Sequence, residues 1–213
     1  GLAAAMVLIG VLGLWDMAMQ TLALMVVATV LAVAIGLPLG IALSGSRRAR
    51  AVALPVLDAM QTLPSFVYLV PALMLFGLGK VPAIFATVIY AMPPIIRLTN
   101  LGIRLVDKEV LEAANAFGSS GWQKLTQVQL PLALPTIMAG INQTIMMALA
   151  MVVVASLIGV RGLGQPVLQA ITNQYFTQGV LNGLAIVAIA IIFDRSSQAY
   201  GKRLQRHREA AHG

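Results

Sequence analysis

The sequence contains no cysteine, and its two histidines, His207 and His212, both fall in the polar C-terminal stretch. A disulfide framework, a thiol nucleophile and a cysteine-based zinc site are therefore excluded, and the histidines offer no metal site. Charge is also scarce, at 10% of residues against 59% hydrophobic ones, with a mean hydropathy of +0.90. A soluble domain carries roughly a quarter of its residues as charges, so this composition is that of a membrane protein. The seven acidic residues form no paired-carboxylate or metal-binding cluster, and no Ser/His/Asp set stands out. A phosphate-binding loop needs Gly, four residues, then Gly-Lys and Ser or Thr. The nearest match, Gly79-Lys80, is followed by Val81 and has Met74 at the leading glycine position. ATP is not held by that means, and no cofactor is expected in this chain. The excess of seven positive charges gathers in short stretches without interleaved aromatic rings, which suits a topology signal and gives no surface for nucleic acid.

About 20 apolar residues carry a helix across a hydrocarbon core. Five stretches meet that requirement: Met19 to Leu43, Pro55 to Phe76, Val81 to Ile103, Leu132 to Ile158, and Phe176 to Phe193. Leu2 to Leu14 reads as the remnant of a further span, and a start at Gly1 inside an apolar run reads as a fragment whose upstream part is missing. The apolar runs are continuous, without the alternation of a β-barrel. Threading the five spans places every one of the fourteen cations except Lys80 and Arg161 on the side that holds Arg47, Arg48 and Arg50. By the positive-inside rule that side is the cytoplasm, and the basic tail, residues 195 to 213, ends there.

Between two spans, residues 104 to 130 form a long polar cytoplasmic loop. Asp107, Glu109 and Glu112 favour the start of a short helix. Ala113, Ala114 and Ala116 are good helix formers, and Gly118 can end or turn the helix. Such a helix and turn can dock into a groove on a partner, or it can lie in the membrane interface without one. The spacing is distinctive: Glu112-Ala113-Ala114, three residues, Gly118, nine residues, then Val128-Gln129-Leu130-Pro131. It resembles the EAA signature of permease subunits of bacterial ATP-binding-cassette importers, with Val128 where the signature more often has Ile.

The resemblance extends from about Leu14 to the C-terminus. Leu57-Asp58-Ala59-Met60-Gln61-Thr62, Pro64-Ser65-Phe66-Val67-Tyr68, Met92-Pro93-Pro94-Ile95-Ile96-Arg97, Asn142-Gln143-Thr144 and Gly162-Leu163-Gly164-Gln165 are similar to the glycine betaine/proline betaine permease branch. It implies an all-α, polytopic permease of the type I importer fold, with five core spans plus the N-terminal remnant, in a single transmembrane domain over 1 to 213. It also implies a permease dimer in the bacterial inner membrane, seated on two ATPase subunits that bind ATP and Mg. An extracytoplasmic binding protein delivers the solute. On this resemblance Glu112, Ala113, Ala114, Gly118, Leu130 and Pro131 form the ATPase-coupling element. Choline, carnitine or another amino-acid derivative is an alternative solute. An ion-gradient-driven carrier, the reading from another class, would place an ionisable residue mid-span.

Polar side chains inside the spans are the remaining candidates. Asp58, Gln61, Ser65 and Tyr68 recur at helical spacing, and Pro64 should kink their segment. They read either as a hydrated translocation pathway or as interfacial and packing residues. Asn142, Gln143 and Thr144 present the same choice, with packing preferred. Tyr68 and Tyr90 could offer ring faces to a quaternary ammonium or serve as interfacial anchors. Gly162 and Gly164 beside Arg161 could shape an external surface for the binding protein or form a plain turn. The scattered methionines suit packing and lipid contact, while Lys202, Arg203, Arg206 and Arg208 suit anionic membrane lipid.

Overall fold

The structure is a computed structural model that describes residues 2–11, 13–156 and 159–209. The predicted span end at Ile158 and the end of the tail, including His212, lie outside the described residues. Among the described residues every regular element is a helix. After α1 (Leu2–Val11), a turn at Gly13 leads into α2 (Trp15–Gly45). The Ser46 side chain accepts from the Ala49 backbone N–H and opens α3 (Arg47–Thr62), which is followed by α4 (Phe66–Phe76) and α5 (Lys80–Arg104). A short α6 (Lys108–Ala116) and a single turn, α7 (Gly121–Gln123), then lead through a π-helical segment, Lys124–Gln129, into α8 (Leu130–Ala155). Two helices complete the order, α9 (Gly164–Thr172) and α10 (Phe176–Glu209).

Among the described residues four helices are long and apolar enough to cross a membrane: α2, α5, the rod from Gly121 to Ala155, and Phe176–Ala199 of α10. The fifth predicted span differs from a simple kinked helix. The segment read as Pro55 to Phe76 starts earlier, at Arg47, and is two helices bent by 93°. Pro64 explains the break, because it lacks an N–H and excludes the α conformation from the residue before it; Leu63 is accordingly extended. Helix α10 also runs past the predicted Phe193 into the basic tail. The Lys, Arg, Leu and Gln residues there are good helix formers.

The centre of the fold is α5 between α2 and α8. Water cannot drive one apolar helix onto another within lipid, so close van der Waals packing must do it, and small residues permit that approach. Gly36 and Gly40 of α2 face α5, where a Cβ on Gly40 would lie 2.7 Å from Thr99 Cβ and 2.8 Å from the Ile96 carbonyl oxygen. On the other side, a Cβ at Gly102 would meet Thr136 Cβ at 2.9 Å. Ile95, Ile103, Ala133 and Ile137 fill the seam between α5 and α8. A second cluster joins α2, α8 and α10 through Met25, Leu149, Val152 and Ile189. Outward, α2, α4 and α10 present bare apolar side chains such as Val30, Met74 and Val187, a surface suited to lipid.

The segment from Gly159 to Tyr175 contains α9. Two of its glycines, Gly162 and Gly164, turn inward and are buried. The Leu163 N–H donates to Thr21 Oγ1 at 2.9 Å, and a Cβ on Gly164 would sit 2.5 Å from the Val153 carbonyl oxygen. Close backbone approach accounts for these glycines, so they do not form the exposed surface that was one of their two readings.

Candidate functional site

The loop between α5 and α8 is built from local hydrogen bonds. Asp107 caps α6 by accepting from the Glu109 N–H at 3.0 Å, and Glu109 in the first turn complements the helix dipole. The helix ends as a glycine turn: the Gly118 N–H donates to the Asn115 carbonyl at 2.9 Å and the Ser119 N–H to the Ala114 carbonyl at 3.0 Å. Gly118 has φ +76°, a conformation that costs a side-chain-bearing residue steric strain. Ser120 and Gln123 then form a reciprocal capping box that starts the next turn. Lys124 Nζ donates to Asn115 Oδ1 at 2.9 Å, tying the end of α6 to the root of the α8 rod. At that root the helix widens into its π segment just before Leu130 and Pro131. Pro131 has no N–H with which to continue the α-helical ladder.

No residue of α6 is buried. Glu112 and Ala113 are exposed and Ala114 is half-buried. Large apolar groups stand bare around them, with Phe117 90% exposed and Trp122 73% exposed. Two uncovered rings on a polar loop suit a partner-binding surface or the membrane interface. Neither ring was singled out in the sequence, although Phe117 stands beside the motif glycine, Gly118, and Trp122 follows four residues after it.

Two polar residues of α3 meet an arginine of α5. Arg97 Nη1 of α5 meets Asp58 Oδ1 at 2.6 Å and donates to Gln61 Oε1 at 3.2 Å. Tyr68 donates its hydroxyl to the Met60 carbonyl, next to Gln61, and its ring meets Tyr90 edge to face at 5.6 Å between centroids. Ser65 is half-buried at the bend. Asp58 and Gln61 of α3 thus share Arg97, whereas Ser65 lies at the bend and Tyr68 beyond it on α4, so the continuous helical face implied by their spacing is broken at Pro64. The missing signal for the Arg97 pairing was long-range: Asp58 and Arg97 are opposite charges in two apolar segments, and each needs a partner.

Asn142, Gln143 and Thr144 point three ways. Asn142 donates to Asp194 Oδ1 at 3.1 Å and accepts from Ser197, binding α8 to α10; Gln198 also donates to Asp194, at 2.8 Å. Gln143 is exposed, while Thr144 is fully buried and its hydroxyl has no hydrogen-bond partner among the described residues. These contacts favour packing for Asn142 and Thr144. Asp194, one residue beyond the predicted span, is a half-buried carboxylate that joins α10 to α8.

Residues 32–206 match the family model described as "Binding-protein-dependent transport system inner membrane component". The chain belongs to this family. Among similar proteins, the glycine betaine/proline betaine transport system permease protein ProW of Escherichia coli K12 is 54% identical over 198 residues. The alignment covers 93% of this chain and 56% of ProW, so the chain spans little more than half the length of that relative. The glycine betaine/carnitine transport permease protein GbuB of Listeria monocytogenes is 52% identical over 93% of this chain and 70% of its own length. In solved structures, the inward-facing MetNI methionine ABC transporter superposes with a TM-score of 0.77, covering 90% of this chain and 95% of that one at 22% identity. The chain thus shares its helical fold with that transporter's membrane subunit, the all-α type I fold expected from the resemblance.

Proposed function

We propose that this chain is the membrane-spanning permease part of an ATP-driven importer of glycine betaine, proline betaine or a related quaternary-ammonium osmoprotectant. The observation that carries the reading is the α6 loop. It is a short helix with no buried residue and the Glu112-Ala113-Ala114 and Gly118 spacing, flanked by bare Phe117 and Trp122 and tied to α8. ATP and Mg belong to two partner ATPase subunits, whose grooves grip α6 on a permease dimer. Closure of the ATPases moves the loop, and Lys124, the π segment and Leu130-Pro131 pass that motion to α8. Rigid-body rocking of the spans then alternates access, with Asp58, Gln61, Ser65 and Tyr68 lining the path. Gln143 is the member of its triplet free to face the path. An extracytoplasmic binding protein supplies the solute, and lipid surrounds the bare faces of α2, α4 and α10. The names of ProW and GbuB support a betaine as solute. A trimethylamine N-oxide permease, TmoV of Ruegeria pomeroyi, is 43% identical, which keeps other methylated amines as the second reading. Competition by a panel of unlabelled methylamines against labelled glycine betaine uptake tests the substrate class. Strongest competition by glycine betaine supports the proposal, and indifference to all of them overturns it.

The orientation places the α6 loop and the C-terminus in the cytoplasm. The absence of native cysteine allows a clean test by single replacements. Ser46→Cys and Ser120→Cys are expected to resist a membrane-impermeant thiol reagent in intact cells, whereas a cysteine replacing the exposed Gln169 of α9 (Gln169→Cys) is expected to react. External labelling of Ser46→Cys would reverse the topology.

A further inference from the structure

We infer that the Asp58–Arg97 pair is an exchange station for a zwitterionic solute, rather than a fixed strut between α3 and α5. It opens so that the solute's carboxylate takes the Arg97 guanidinium and its cationic nitrogen takes the Asp58 carboxylate. The inference rests on the importer reading above and adds a solute-selective site within the permease itself.

Three observations carry it. The pair is the one salt bridge among the described residues, and its side chains remain 45% and 51% exposed. Charges this open cannot face hydrocarbon without heavy cost, so they border water. Secondly, Arg97 uses a single nitrogen, Nη1, for both Asp58 and Gln61. Its Nη2 and Nε donors have no recorded protein partner among the described residues. A guanidinium presents paired donors whose geometry matches a carboxylate, so the edge that would receive one is available. Thirdly, Tyr90 lies seven residues before Arg97 on α5, two helical turns or about 10 Å along the same face, and meets Tyr68 of α4. The Tyr68 ring is held by its bond to the Met60 carbonyl. These rings offer a cation-π approach to a methylated nitrogen, which cannot donate a hydrogen bond.

Charge balance then sets the selectivity. A zwitterion replaces the internal pair charge for charge, leaving both residues compensated. A monocation such as choline would satisfy Asp58 and strand Arg97, and an uncompensated charge within a span is disfavoured. Carboxylate-bearing betaines are therefore accepted over choline at this point, independently of the binding protein's preference.

The test uses the complete transporter in vesicles. In the double variant Asp58→Asn with Arg97→Gln, glycine betaine uptake is expected to fall roughly tenfold or more, on the scale of lost charge-assisted bonds. Stimulation of ATP hydrolysis by the loaded binding protein should persist, which a collapsed fold would not allow. If the wild type imports betaine and the double variant does so equally well, the station is overturned while the importer reading stands; a wild type without ATP-dependent betaine uptake would instead sink the importer reading. A second measurement covers a variant that fails to assemble. Gln61→Cys, in the otherwise cysteine-free chain, is labelled with a small neutral thiol reagent without binding protein present. Millimolar glycine betaine is expected to slow labelling several-fold and choline to leave it unchanged. Equal effects of the two solutes, or none from either, would overturn the proposal.

Discussion

Gly118→Val is expected to leave the permease in the membrane while cutting ATP-driven solute uptake by about tenfold or more, since a β-branched residue at positive φ carries backbone strain of roughly 1–3 kcal/mol. The argument is conformational. A Cβ at Gly118 would touch nothing within 4 Å, but the residue's φ is +76°. Relief of that strain must unwind the turn that sets α6 against Ser119, Ser120 and Lys124. Glu112→Lys attacks the same element differently, reversing charge on an exposed face without straining the backbone. Both variants should weaken ATPase docking or separate hydrolysis from transport, and binding-protein-stimulated ATPase activity measured beside uptake will show it. Full stimulation and full uptake in both would remove the α6 loop from the mechanism.

Gly40→Leu is expected to abolish the folded permease. The added Cβ would fall 2.7 Å from Thr99 Cβ and 2.8 Å from the Ile96 carbonyl oxygen. The second neighbour is backbone and cannot swing aside. Overpacking a tight core costs about 1–3 kcal/mol or more, and here it wedges apart the two helices at the centre of the fold. Gly45→Leu, on the same helix with nothing within 4 Å of its Cβ, should be tolerated. The yield and monodispersity of the two purified variants provide the comparison. Normal recovery of Gly40→Leu would show that α2 and α5 do not depend on this close crossing.

The spans were legible because each is a long apolar run, and the α6 loop because its helix formers, acidic start and glycine stop agree at every position. Gly36 and Gly40 also carried a readable signal, the small-xxx-small spacing of closely packed membrane helices. The sharp bend at Leu63 to Ser65 was legible as a break but not as an angle, since proline removes a hydrogen bond without dictating where the chain goes next. The pairing of Arg97 with Asp58 was not legible, because the two lie 39 residues apart in different helices, beyond the reach of local periodicity. Asp194 was overlooked for a related reason: it is half-buried, and its partner Asn142 comes from a different helix. The inward turn of Gly162 and Gly164 likewise depends on Thr21 and Val153, which no local pattern joins to them.

The most direct measurement of the account is uptake of labelled glycine betaine by vesicles holding the complete complex, with ATP supplied on the ATPase side and binding protein on the other. The account predicts uptake that requires both ATP and binding protein and persists when ionophores collapse all ion gradients. Uptake that proceeds without ATP and stops when the gradients collapse would contradict it and identify an ion-driven carrier instead.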